Sequence, residues 1–298
     1  MSGPREWFQR IMRAGAIWSE ARASTLGAAL AYFMVFSIAP LLLLLLALAG
    51  LIYGPEDARG RLAGELENTL GPDASTAVQD ILRNMDASGA TSVSLGVGAV
   101  LLLFGASGVF AELQRALNAI WGVKPKPGFV GGVVGFLRGR FLSLGMVFGT
   151  CFLILAGLVL ATSLTFVASH IRPPSDAVWS VKALSVAGSF SAVMLLFSLI
   201  YRYLPDAEVR WGDAVAGAVL TTTLYLVVRE LLSLYFSRTK VATVYGAAGS
   251  LVVVLLWVYY SAQIFLFGAA LCRARAERTG RGVVPEPHAV LRDDVREA

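Results

Sequence analysis

The sequence predicts an all-α, polytopic membrane protein: six transmembrane helices, an N-terminal interfacial helix and a short helical outer loop. Three observations predict it. Apolar runs cover residues 26–53, 92–110, 141–167, 181–203, 213–236 and 244–271, each close to or above the roughly 20 helical residues that a hydrocarbon core of about 30 Å requires. The composition agrees, with 56% hydrophobic and 15% charged residues among 298 and a mean hydropathy of +0.68, far from the balance of a soluble domain. The basic residues are also uneven. With an even number of spans and both termini cytoplasmic, the inside segments carry 17 of the 25 Lys and Arg, which is the positive-inside pattern. The net charge of +5 is then expected to meet anionic headgroups of the cytoplasmic leaflet, and no nucleic acid partner is implied.

Residues 1–25 hold no continuous apolar core, so no cleavable signal is read there. Trp7, Phe8, Ile11, Met12 and Trp18 recur at helical spacing with Arg10, Arg13 and Arg22 on other faces. That pattern predicts a cytoplasmic amphipathic helix lying in the headgroup region. The six-span domain follows over 26–271. Its first run contains Pro40, which lacks a backbone donor and crowds the carbonyl of Phe36, so a kink is expected there, of structural or functional use.

The outer loop, 54–91, pairs a stripe of Leu62, Leu66 and Leu70 with a second of Val78, Ile81, Leu82 and Met85, divided by Gly71-Pro72. Two short amphipathic helices resting on the bundle, or a lid over it, fit that pattern. The second helix should continue past the apolar run through Glu112, Arg115 and Asn118 to Trp121, with Glu112 and Arg115 three apart on one face. Glycines recur in several runs, as at Gly145 and Gly149, where they let helix backbones approach closely. Residues 272–298 are expected to form a flexible cytoplasmic tail.

Chemistry-bearing motifs are sparse. There is no nucleotide-binding loop, no nucleophile elbow and no Cys/His cluster with metal spacing. Cys151 and Cys272 fall in or beside apolar runs and imply no disulfide framework. No catalytic residue, metal or cofactor is therefore expected. What remains are polar groups at membrane depth, where they are costly and face a bundle interior or water. Asp213 either caps its helix or lines a site. Thr221, Thr222 and Thr223 can return their hydroxyl bonds to their own helix. Arg229 and Glu230 are adjacent, point in different directions and are not expected to pair. Gln263, near Tyr259 and Tyr260, is suited to an interhelical hydrogen bond.

Several blocks together resemble one family. They are Ala28-Ala29-Leu30-Ala31-Tyr32 with Ser37 and Pro40; Leu117-Asn118-Ala119-Ile120-Trp121-Gly122; Tyr201-Arg202-Tyr203-Leu204-Pro205; and Trp211-Gly212-Asp213 with Gly217-Ala218. The strongest is Tyr245-Gly246-Ala247-Ala248-Gly249, followed by Leu255-Leu256-Trp257-Val258-Tyr259 and Gly268-Ala269. Over about residues 20–275 the chain resembles the YihY/virulence factor BrkB family of bacterial inner-membrane proteins. It departs from the family pattern at Ala270, where an acidic residue is usual, and at Ala216, where proline is frequent. A coupling role for that carboxylate could not operate here in the same way.

The resemblance implies a six-helix protein of the bacterial inner membrane, in a family labelled ribonuclease, virulence or serum-resistance factor, or transporter of lipidic envelope components. Nothing in the sequence would activate water on a phosphodiester, which disfavours the ribonuclease label. The leading expectation is a transporter or flippase-like protein for a lipidic or amphiphilic substrate, with Glu112, Arg115, Asp213, Arg229, Glu230, Tyr245, Tyr259 and Gln263 as groove candidates. Without a nucleotide site, movement would be passive, gradient-driven or partner-dependent. The alternative is a non-transporting envelope scaffold or a virulence or stress-resistance membrane protein. Membrane lipids are the expected partners, with a homo-oligomer or an envelope protein as further ones.

Overall fold

Long apolar helices need neighbours on some faces and lipid on others, and this chain uses four of them as its frame. The computed structural model describes residues 4–54, 57, 59–64, 108–126, 145, 149, 175–238, 249–280 and 282–292. Helix α1 spans Pro4–Glu20 and α2 spans Ala23–Tyr53. The described part of α3 is 108–121. Helices α4, α5 and α6 cover Ser175–Tyr203, Trp211–Arg238 and Gly249–Arg278. Two three-residue strands, β1 (Val123–Pro125) and β2 (Ala289–Leu291), pair antiparallel with Lys124 opposite Val290. The described residues are mostly helical, and Trp211–Leu231 and Val252–Arg278 are each long and apolar enough to cross a membrane.

Each long helix begins or ends near its expected apolar run. Helix α2 continues through Pro40 to Gly54, whose φ of 83° ends it, its N–H donating to the Gly50 carbonyl. Gly accepts that left-handed backbone without steric cost. Between α1 and α2 the turn is made by Arg22 at φ 52°, a conformation that costs an L-residue roughly 1–2 kcal/mol and that the packing on both sides must hold. Most of the runs 92–110 and 141–167, and of the loop 54–91, lies outside the described residues.

α6 is the centre of the frame, packed against α5, α2 and α1, while α4 packs on α5. Glycine sets the closest crossing. A Cβ at Gly217 of α5 would lie 2.2 Å from Cys272 Sγ and 2.8 Å from the Gly268 carbonyl oxygen of α6. Beside this crossing, Tyr201 of α4 donates its hydroxyl to the Phe265 carbonyl at 2.7 Å and receives the Thr221 hydroxyl of α5, also at 2.7 Å. Its ring stacks on Phe265 with centroids 4.9 Å apart. One tyrosine therefore ties three helices through both its apolar and its polar parts.

The sequence predicts a flexible tail over 272–298. Among its described residues, α6 continues to Arg278, and 282–292 strap back across the end of the bundle. The physical reason is pairing. Arg273 donates to the Ile120 carbonyl and to Glu277, both at 2.8 Å, and Arg278 donates to the Glu6 carbonyl and Gln9. The strap then satisfies its backbone on β1 and on the loop after α4, where Glu208 N–H donates to Val284 and Glu286 N–H to Asp206.

Candidate functional site

Polar side chains gather at the end of the bundle where α1, the C-terminal end of α3, the α4–α5 loop and the strap meet. Asp206, buried there, is its hub. Its Oδ1 accepts from Gln114 Nε2 at 3.0 Å and lies 2.9 Å from His288 Nε2, and its Oδ2 accepts from Asn118 Nδ2 at 2.7 Å. The Asn118 side-chain Oδ1 in turn accepts the Asp206 backbone N–H at 2.8 Å. Three segments far apart in sequence thus share one carboxylate, with its lone pairs matched by donors as a buried charge requires. Nearby, Arg273 completes the end of α3: its guanidinium sits on the Ile120 carbonyl, one of the orphan acceptors of a helix C-terminus, where a cation is favoured. Gly122, at φ 66°, turns the chain out of that helix.

Arg13 of α1 donates to Glu277 of α6 at 2.9 Å. That hydrogen bond raises the Arg13 pKa and holds the guanidinium in its charged form. α1 is fastened by this pair, by the Arg278 contacts and by burial of Ala14 and Ile17. Its other face leaves Trp7, Phe8, Ile11 and Met12 exposed. Trp18, expected on that exposed stripe, instead packs partly buried against the core.

The sequence-derived groove candidates are not brought into one place. Glu112 is buried and pairs with Arg115 three residues on, whose side chain reaches into solvent. Asp213 is buried in the first turn of α5, where it accepts from Arg275 of α6 at 3.3 Å. Arg229 and Glu230 lie about 24 Å further along α5 by helix rise. They were not expected to pair, yet Arg229 Nη2 donates to Glu230 at 2.8 Å. Both side chains are long and solvent-facing, so they bend back toward each other despite diverging Cβ vectors; an exposed pair of this kind contributes about 0–1 kcal/mol. Tyr259 is half-buried with its ring edge-on to Tyr260. Tyr245 lies outside the described residues.

Gln263 points between α6 and α2. Its amide donates to the Ala23 carbonyl at 3.4 Å, and Gly27 makes room for it, since a Cβ there would stand 2.0 Å from Nε2. Its Oε1 is buried without a partner, as is the hydroxyl of Thr222 on α5. Of the other threonines, Thr223 donates back to Val219 on its own helix while Thr221 binds Tyr201 across helices. Among the described residues no group of His, Cys, Asp and Glu could hold a metal ion.

Residues 16–291 match the family model described as virulence factor BrkB. The chain belongs to this family. Among curated BrkB relatives it is 28% identical over 262 residues to a UPF0761 membrane protein of Pseudomonas aeruginosa, covering 87% of this chain and 61% of that one. It is 25% identical over 276 residues to a UPF0761 membrane protein of Acinetobacter baylyi, covering 91% of this chain and 62% of that one. A Bacillus subtilis relative with a ribonuclease-like name, YfkH, is 26% identical over 247 residues, or 82% of this chain and 86% of its own. The chain thus spans about three-fifths of the length of the Pseudomonas and Acinetobacter relatives. No solved structure matches it.

Within the BrkB match, the family-like block around Asn118 and the one ending at Pro205 meet at the Asp206 hub. Sequence reasoning missed Asp206, Arg273 and Glu277 as site residues. Asp206 carries a faint signal in hindsight, an acid directly after Tyr201-Arg202-Tyr203-Leu204-Pro205 and short of the next apolar run. Ala270, where the resemblance would place an acid, is fully buried in the core.

Proposed function

We propose that this BrkB-family protein is a six-span protein of the bacterial inner membrane, with both termini cytoplasmic, that moves a lipidic or amphiphilic substrate between leaflets and performs no catalysis. The observation that carries the reading is the pair of buried, unpartnered polar atoms on neighbouring helices, Gln263 Oε1 and Thr222 Oγ1. Within hydrocarbon such atoms are costly to keep unsatisfied, and polar groups retained there mark substrate paths. Gln263 has further support, because Gly27 leaves the space its amide occupies. Glu112, Arg115, Asp213, Arg229, Glu230 and Tyr259 then contribute at separate depths along the helices, as stations rather than one pocket, and Tyr245 is kept as a candidate from the sequence alone.

A second reading, an envelope scaffold, is favoured by the heavily tied polar end, where α1, α3, α6 and the strap are hydrogen-bonded together. The purified chain in liposomes separates the two. With a headgroup-labelled fluorescent phospholipid in both leaflets, an impermeant reductant should bleach the inner pool when the protein is present. Gln263→Leu should slow that exchange about tenfold, equivalent to about 1.4 kcal/mol at the barrier. Inner dye that stays protected with the wild-type chain, with and without an imposed ion gradient, would leave the scaffold reading standing.

A further inference from the structure

Arg202 ends α4 in an unusual setting. Its guanidinium carbon lies 5.5 Å from the ring centroid of Tyr203 and 5.1 Å from that of Trp211, the first residue of α5. The two rings meet edge to face, 6.0 Å apart. Both aromatics are large and open, with Tyr203 46% and Trp211 44% exposed. Nη1 donates to the Val209 carbonyl, Nε is buried without a partner, and no ion pair to Arg202 occurs among the described residues. Neighbouring Asp206, the natural counter-charge, is already committed to Gln114, Asn118 and His288. Arg210, exposed one residue before Trp211, adds a second cation.

From these residues we infer a binding site for the phosphate headgroup of an anionic phospholipid, with Arg202 as the phosphate ligand and Tyr203 and Trp211 as its interfacial frame. A tryptophan and a tyrosine at the ends of two apolar helices sit at headgroup depth in a bilayer. A guanidinium held over their rings, with the Val209 carbonyl as its recorded acceptor, suits a further acceptor, and phosphate is the one whose geometry its planar fork fits. The surface continues as a lipid would need. Leu195 on α4 and Val219 on α5 are exposed, about 12 Å further into the membrane by helix rise, where acyl chains would lie. The apolar continuation selects a lipid over a free phosphate ion. This site rests on the membrane placement of α4 and α5 proposed above and not on transport, so a protein that moves nothing would still show it.

The test uses the full chain in phosphatidylcholine nanodiscs doped with phosphatidylglycerol, released into the gas phase and weighed with its retained lipids. The wild-type protein should keep phosphatidylglycerol in preference to phosphatidylcholine. Arg202→Gln should lower the retained phosphatidylglycerol about tenfold, while Arg202→Lys, with charge but no fork, should fall between. Should Arg202→Gln fail to fold, the double variant Arg210→Gln with Trp211→Ala, which keeps Arg202 and its Val209 tie but removes part of the frame and the second cation, should show a smaller loss of the same preference. Unchanged preference in a folded variant would overturn the site. So would stripping of the lipid by excess inorganic phosphate, which would make it a simple anion site.

Discussion

A carboxylate surrounded by three donors, as Asp206 is by Gln114, Asn118 and His288, can be replaced in two instructive ways. Asp206→Ala removes every acceptor at once and leaves the Asn118 amide unmatched in a buried place. It should destabilise the folded chain by about 3 kcal/mol, in the range for breaking a buried charged network. Asp206→Asn keeps an oxygen for Asn118, and its new amide can be met by Gln114 turned over and His288 in its other tautomer. That variant should cost a fraction as much. Chemical unfolding in detergent micelles would measure both, and equal losses would contradict this account of the hub. Little of this was legible in the sequence. Asp206 meets partners 82, 88 and 92 residues away, and an acid following a proline between apolar runs reads as an ordinary loop residue.

Helices were far more legible than their ends, because crossing a membrane imprints length and apolarity on a continuous stretch while an end is decided by remote partners. α6 outruns its apolar segment because Arg273, Arg275 and Arg278 all find acceptors, on α3, α5 and α1 respectively. β1 and β2 have only three residues each, too short for alternation to show. Of the glycines read as marks of close packing, Gly217 lies at a close crossing, whereas a Cβ at Gly145, Gly149 or Gly212 would meet no described atom within 4 Å; which glycines matter depends on what lies opposite. At Gly27 the obstacle to a methyl is the tip of Gln263, 2.0 Å away, a flexible side chain that can swing aside. At Gly217 it includes the Gly268 backbone oxygen at 2.8 Å, which cannot move without shifting α6. Gly217→Ala should therefore cost about 1–3 kcal/mol, the usual penalty for overpacking, and Gly27→Ala distinctly less. Adding Gln263→Ala should recover most of the smaller loss and none of the larger, a double-mutant cycle readable from thermal unfolding midpoints.

At the scale of the whole molecule, the positions of the helix ends constrain how often the chain crosses the membrane. α1, the end of α3, the α4–α5 loop and the strap share the polar end. Helix α2 leaves it and, with 31 residues, ends about 46 Å away by helix rise. α3 ends at the polar end with Trp121, so the six-span reading proposed above puts one crossing between Tyr53 and Trp121. Lys126 is bonded to the strap at the polar end, while α4, 29 residues long, ends near it with Tyr203, and the same reading puts one crossing between Lys126 and α4. In the sequence the apolar runs at 92–110 and 141–167 are the candidates for these two crossings, beside α2, α4, α5 and α6. The orientation proposed above rests on the charge distribution, since Arg13, Arg115, Lys124, Arg273, Arg275 and Arg278 all belong to the polar end and basic residues favour the cytoplasmic side. Single cysteines test this directly. An impermeant maleimide applied to intact spheroplasts should label Asp57→Cys, beyond the far end of α2, and should reach Val284→Cys on the strap only after permeabilisation, with the wild-type chain as the control for Cys151 and Cys272. The opposite pattern would invert the bundle. Labelling of both sites in intact spheroplasts would overturn the six-span reading.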